Sequence, residues 1–292
     1  MENPLFLQVV FSGVVVGSIY ALVALGFILI YKGTNIMNFA QGEMVMISAY
    51  FGLMYHVYYK IDYFTSLILT ILTAGFCGIL LERIVCRPLL KSPVMSIIVA
   101  TIAVSIALKN IARLVWGPIF YPFPSAFSLT PYHLGKVMIT PKDIGTIVIT
   151  LILLGMLYYV LQHTKIGAAM LATASNQKAA SIMGINVKRV FSITWAISFG
   201  LASAGGFLLA PLVSITPEMG DIVIVVFTAA VLGGLESLTG AVVGGVLLGV
   251  ISNLAGFYIS TAFKDVVSFL ILITILMFKP SGLFSRGTLR KA

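Results

Sequence analysis

Apolar runs of about 20 residues recur along nearly the whole of this 292-residue chain, and each is long enough to cross the hydrocarbon core of a bilayer. In lipid every backbone N–H and C=O must find a partner inside the protein, which leaves helices or a closed barrel as the only spanning structures. Runs of this length are helical. They lie at 5–31, 38–59, 63–82, 94–115, 143–161 and 190–213, followed by a Gly-interrupted stretch at 219–256 and a last run at 263–278. Sixty percent of the residues are hydrophobic and 9% charged, against about 25% charged in a soluble domain. The fold class is therefore all-α: a polytopic helical membrane protein of about 8–9 membrane segments, forming one transmembrane domain over 1–292. The first run is too long for a signal-peptide core and has no Lys or Arg before it, so it reads as a retained helix.

Charge sets the topology. The net charge of +9 comes from basic residues in short loops between apolar runs, the distribution of the positive-inside rule rather than of a nucleic-acid surface. If the loop with Arg83, Arg87 and Lys91 is cytoplasmic and 219–256 crosses twice, twelve basic residues fall inside. These include Lys32, the 165–189 group and the tail with Lys279, Arg286, Arg290 and Lys291. Four (Lys60, Lys136, Lys142, Lys264) fall outside. This arrangement has nine segments, the amino terminus outside and the carboxyl terminus in the cytoplasm. Lys109 and Arg113, near the outer end of their span, are expected to snorkel toward the headgroups. The proline-rich connection 117–141 reads as a loop packed on the outer mouth.

Two halves are suggested by a short repeat. Ile97 to Val104 reads IIVATIAV and Ile224 to Val231 reads IVVFTAAV, each after a proline, and on this topology they start from opposite sides. That is the orientation of an inverted repeat around a translocation path.

No catalytic residues are identified: there is no phosphate-binding G-x-x-x-x-G-K-[ST] loop, no H-E-x-x-H and no paired carboxylates. An enzyme is not expected, and ATP, if used, belongs to another subunit. Cys77, Cys86 and the three histidines have no metal-ligand spacing, so no metal is assigned. Buried polar groups are the remaining candidates, because charge in the apolar core is costly. Asn38, Gln41 and Glu43 form a polar start, NFAQGE, on an apolar run. They either line a path or make an ordinary helix start with Asn38 as N-cap and Glu43 favoured by the helix dipole. Glu236 interrupts VLGGLESLTGAVVGG and either lines the path or sits in a short cytoplasmic turn. Thr101, Ser105 and Thr228 either offer hydroxyls to a zwitterion or bond back to their own helix carbonyls.

The segment from Thr164, TKIGAAMLATASNQKAASIMGINVKRV, is helical in character, rich in Ala and Gly and too long for a tight turn. Such a segment marks a docking surface for a soluble partner.

The chain resembles the permease subunits of branched-chain amino acid (Liv-type) ABC importers. The resemblance rests on GSIYALVALGFILIYKGTNIMNFAQGEMVMISAY from Gly17, LERIVCRPL from Leu81 and the TKIGAAMLATASNQKAASIMGINV segment. VLGGLESLTGAVVGGVLLG from Val231 and the ending KPSGLFSRG from Lys279 complete it. It implies a bacterial inner (plasma) membrane location among membrane lipid, and a second related permease as partner. It also implies two cytoplasmic ATP-binding subunits, which use the ATP, and a periplasmic or extracellular substrate-binding protein. On this resemblance 164–187 forms coupling helices against the ATPase, with Lys165, Gly167, Ala172, Thr173, Asn176, Ala179, Ala180 and Gly184 as contact candidates. NFAQGE and the repeat segments then face the path. The chain departs from the family pattern at Ala168 and Leu171, where arginines are usual, at Glu236 (glycine) and at Lys109 (glutamine). Related permeases carry urea, short amides or other amino acids. A self-sufficient secondary transporter or channel is the rival class, and the docking segment argues against it.

Overall fold

In the computed structural model the chain is described over residues 4–127, 130, 132–134 and 137–284. Lys136, Arg286, Arg290 and Lys291 of the charge count, and the ending beyond Phe284, lie outside the described residues. Eleven α-helices are described: α1 (Pro4–Thr34), α2 (Gln41–Gly52), α3 (Tyr63–Leu81), α4 (Val94–Trp116), α5 (Pro141–His163), α6 (Lys165–Ser175), α7 (Gln177–Ile182), α8 (Val187–Val213), α9 (Val223–Gly233), α10 (Leu238–Tyr258) and α11 (Phe263–Phe278). α2 continues as a π-helical turn to Tyr58, and α3 continues through π and 3-10 turns to Lys91. A small antiparallel hairpin, β1 (Tyr132–Leu134) with β2 (Val137–Ile139), stands between α4 and α5.

Six helices are long and apolar enough to cross a membrane: α1, α3, α4, α5, α8 and α10. The 219–256 stretch does break at Glu236, but its first part, α9, has only 11 residues. At 1.5 Å per residue it rises about 16 Å, half the hydrocarbon thickness. α2 has 12 residues, and its π-helical continuation carries the helix on to Tyr58.

The centre of the molecule is α1 and α8, whose cores carry Ile19, Phe27, Phe199 and Phe207 fully buried. They run antiparallel: Gly205 lies on Ile19 and Val23, Ser198 on Gly26, and Gly33 on Thr194. α1 packs most extensively on α10, and α8 on α3. Exchanging α1 with α8, α2 with α9, α3 with α10 and α4 with α11 reproduces the pattern of helix contacts. The chain punctuation repeats too. α1 and α8 are each followed by a left-handed residue, Asn35 (φ 58°) and Ser214 (φ 64°), and α3 and α10 are each preceded by one, Lys60 and Gly234. An inverted repeat is present, therefore, but the IIVATIAV and IVVFTAAV match falls on α4 and α9, which are not counterparts. The counterpart of α9 is α2, and NFAQGE from Asn38 aligns in sequence with TPEMGD from Thr216.

After α1 ends, the chain turns back into the bundle before α2 begins. Gln41 bonds to Ser198, which also bonds to Gly26, eight residues before the end of α1. Residues 35–40 thus return about 12 Å along α1. The second half does the same: Gly206, eight residues before Ser214, faces Val45, and Gly220 faces Gly42. The two short helices start deep in the bundle and meet by their N-termini.

Helix approach depends on absent side chains. A methyl group added at Gly249 would fall on the backbone of Gly17, and one at Gly245 on that of Ala21. We expect Gly249→Val to separate α1 from α10 and destabilise the protein by about 1–3 kcal/mol, the usual cost of overpacking. Thermal unfolding in detergent measures this, with Val243→Leu at a position 40% exposed as the neutral comparison.

Candidate functional site

The meeting point of α2 and α9 gathers most of the polar residues singled out in the sequence. Asn38 is not the N-cap of α2; Ala40 holds that position without a side-chain cap. Asn38 instead folds the preceding turn, its Oδ1 accepting from Ala40 N at 3.1 Å and its Nδ2 facing Gln41 Oε1 at 3.4 Å. Gln41 is fully buried, and its amide meets Ser198 of α8, which donates to Gly26 of α1. The turn is locked to both central helices.

Glu43 follows one step on, only 3% exposed. Its Oε1 accepts from Ser105 Oγ at 3.1 Å, while Oε2 is buried with no hydrogen-bond partner and lies against Gly220. Glycine is required at both contact positions: a Cβ on Gly42 would strike the Gly220 carbonyl, and one on Gly220 would strike the Glu43 carboxylate.

α4 runs along this junction and presents one residue per turn to it. Thr101 donates to its own helix at Ile98 O (2.9 Å) and accepts from Phe39 N (3.4 Å). Ser105 reaches Glu43. Lys109 pairs with both carboxylate oxygens of Asp221, at 2.8 and 3.0 Å, and Arg113 pairs with Glu218 at 3.0 Å. The spacing is four residues throughout, so the stripe is a property of the sequence. Lys109 and Arg113, expected to snorkel toward headgroups, are paired here with two acids at the entry to α9. The Arg113 guanidinium holds the Glu218 carboxyl below its usual range. The pair therefore persists above the ordinary carboxylate range and is lost only as pH falls through that lowered value.

Asp221 and Glu218 escaped notice in the sequence. The signal was there: Gly42–Glu43 and Gly220–Asp221 are the same glycine–acid pair, once in each half.

Two candidates stand elsewhere. Thr228 is buried in α9 and donates to Ile224 O at 2.8 Å, the back-bonding alternative. Glu236 is exposed in the turn after α9. The chain end packs on that turn, with Leu283 and Phe284 N–H groups donating to Leu232 and Gly233.

The 164–187 segment is two short helices, each opened by a side-chain cap: Thr164 accepts from Gly167 N and Asn176 from Ala179 N. Gly167, Thr173 and Ala180 face the bundle, Gly167 directly against the end of α5. Ala172 is half-buried, and Lys165, Asn176 and Ala179 are exposed, as is Gly184, whose φ of 85° ends α7. Ile182 and Met183 are 87% and 81% exposed at the tip. Glu82, buried at the end of α3, is held by two nitrogens of Arg87 (2.9 and 2.6 Å) and by Ser192 near the start of α8. At the other end of the bundle the described part of the 117–141 connection packs inward. Tyr121 bridges to Ile215, and Phe123 lies on Tyr63 and Phe207.

Membrane helices around a polar junction of two half-helices are an arrangement found in transport proteins. A family model described as branched-chain amino acid transport system / permease component matches residues 9–276. The branched-chain amino acid permease protein LivH of Salmonella typhimurium is 35% identical over 98% of this chain and 97% of its own length. BraD of Pseudomonas aeruginosa is 31% identical, with 98% of each chain covered. A probable LivH from Methanocaldococcus jannaschii is 30% identical over 93% of this chain and 90% of its own. The chain belongs to the branched-chain amino acid transport system permease family, and it is a multi-pass membrane protein.

Thr101 touches the re-entrant turn and Thr228 touches only its own helix. Thr101→Val is expected to slow uptake severalfold, because Phe39 N loses its acceptor, a cost of about 1–3 kcal/mol for a buried donor. Thr228→Val should leave uptake near normal. Uptake by the two variants, normalised to membrane-inserted protein, checks the difference.

Proposed function

We propose that this chain is the membrane permease of an ATP-driven importer of branched-chain amino acids, contributing the translocation path and docking a separate ATPase. The observation that carries the reading is the junction of α2 and α9. Two half-helices meet there inside the bundle, bordered by a polar stripe on α4 and otherwise by Val, Ile and Phe. A zwitterion leaving water needs polar partners for its charged ends and an apolar wall for its side chain. Glu43 and Ser105 supply the first, on a turn held by Asn38, Gln41 and Thr101, and the aliphatic faces of α4 and α9 the second.

The ATPase surface is the α6–α7 pair. Its capped ends fix it as a rigid element, and Ile182 and Met183 project where a soluble partner can bury them. α4 buries only Ile97, Thr101 and Ala112 among its side chains within this chain, which leaves its outer face for a second related permease. A soluble binding protein would deliver substrate at the end carrying the 117–141 connection. The alternation of helix directions agrees with the basic-loop count and supports an outside amino terminus and a cytoplasmic carboxyl terminus.

Leucine uptake by proteoliposomes holding the assembled complex with its binding protein tests the substrate; uptake of urea or short amides instead would replace it. Met183→Glu puts a charge in the proposed interface and should abolish co-purification of the ATPase while leaving the permease in the membrane. Retained co-purification would leave α6–α7 a mere connection. For orientation, a cysteine at Met183 in a background lacking Cys77 and Cys86 should resist an impermeant thiol reagent in intact cells, whereas one at Tyr59 should react.

A further inference from the structure

Charge at the α2–α9 junction does not balance. Two cations, Lys109 and Arg113, face three acids, Glu43, Asp221 and Glu218, and each cation is already paired, with Asp221 and Glu218 respectively. Glu43 is left over. It is also the most buried of the five, and one of its oxygens has no donor at all. An uncompensated carboxylate away from water costs several kcal/mol by desolvation alone. Its own helix N-terminus offsets about 0.3–1 kcal/mol of that, and Ser105 supplies a single neutral hydrogen bond. Packing gives no reason for the acid, because a methionine would fill the same space.

Resting on the path proposed above, we propose that the Glu43 carboxylate is the internal contact for the ammonium group of the transported amino acid. Oε2 lies under Gly220, in the segment Pro217–Ile222, whose residues Glu218, Met219, Asp221 and Ile222 line a cavity of about 610 Å³ with α1, α8 and α11. That segment is a thin wall between the cavity and the carboxylate. Three acceptors border the contact between Gly42 and Gly220: Glu43 Oε2, Ser105 Oγ, which bonds the other carboxylate oxygen, and the Gly220 carbonyl that abuts Gly42. A small outward shift of the segment opens room among them. Three acceptors suit the three donors of a primary ammonium. They do not make a metal site, since Ca²⁺ and Mg²⁺ take six or more oxygens in regular geometry. The ammonium cancels the excess charge while it passes, and closure of Gly220 onto the carboxylate expels it, so the contact is transient.

The test uses the whole complex, with its ATPase and leucine-loaded binding protein, in proteoliposomes. Glu43→Gln keeps the shape and the bond to Ser105 but removes the charge. Leucine moved per ATP hydrolysed should fall at least about tenfold, the scale of one charge-assisted hydrogen bond. Glu43→Asp, one carbon shorter with the charge kept, should recover part of it. Equal transport by wild type and Glu43→Gln overturns the proposal, and so does failure of both variants to assemble, which assigns the carboxylate to folding. If wild type itself moves no leucine, the substrate reading fails rather than the role of Glu43.

Discussion

Two membrane helices gain little from hydrophobicity when they meet, because lipid tails are as apolar as their side chains. What remains is dispersion, about 0.1–0.2 kcal/mol per atom pair and useful only at close range. The seam of Gly13, Gly17, Gly245 and Gly249 provides that range by bringing the backbones of α1 and α10 into direct contact. The opposite seam uses Gly75, Gly78 and Gly200 between α3 and α8. With both outer helices drawn tight, α1 and α8 become a fixed central pair. α2 is positioned chiefly on α8, and α9 on α10 and α1.

Irregular backbone at membrane depth is tolerated only where the protein itself satisfies it. The two re-entrant turns meet this demand with the residues that also mark the site. Ala40 N–H goes to Asn38, Phe39 N–H to Thr101, Met219 N–H to Thr216, and Ile215 exchanges both its backbone bonds with Tyr121. Most polar groups at the junction are thereby spent on holding the chain in place. Among the described residues Glu43 Oε2 is a buried carboxylate oxygen left without a partner, which sets it apart as a charged group available to something else.

Much of this was legible beforehand. Long apolar runs fix the helices. The break at Glu236 was visible in LGGLESLTG. What could not be read was depth. An apolar run from Asn38 looks like one more crossing, and only the bond from Gln41 to Ser198 shows that it starts part-way through the bundle. For the same reason the repeat was sought in similar aliphatic letters, which any two buried helices share. The true correspondence lies in sparse positions, Gly42–Glu43 with Gly220–Asp221 and Asn35 with Ser214, that hydropathy ignores. The pairing of Lys109 and Arg113 required knowing that the entry to α9 folds beside α4, a contact 105 or more residues apart in sequence.

The ion pairs also differ in strength between the two ends of the bundle. Glu82 and Arg87 have side chains 2% and 24% exposed, and Ser192 and the Lys188 carbonyl complete their bonding, so breaking this pair strands a buried charge at about 3–5 kcal/mol. Lys109–Asp221 and Arg113–Glu218 are far more open, with the acids 64% and 54% exposed. Pairs of that kind contribute about 0–1 kcal/mol each. Such a latch holds the Pro217–Ile222 segment against α4 yet separates at little cost, whereas the Glu82–Arg87 clamp ties the start of α8 to α3. In the importer proposed above, a push on α6–α7 reaches α8 and α3 beside this clamp, and the open latch over Glu43 is the part that yields.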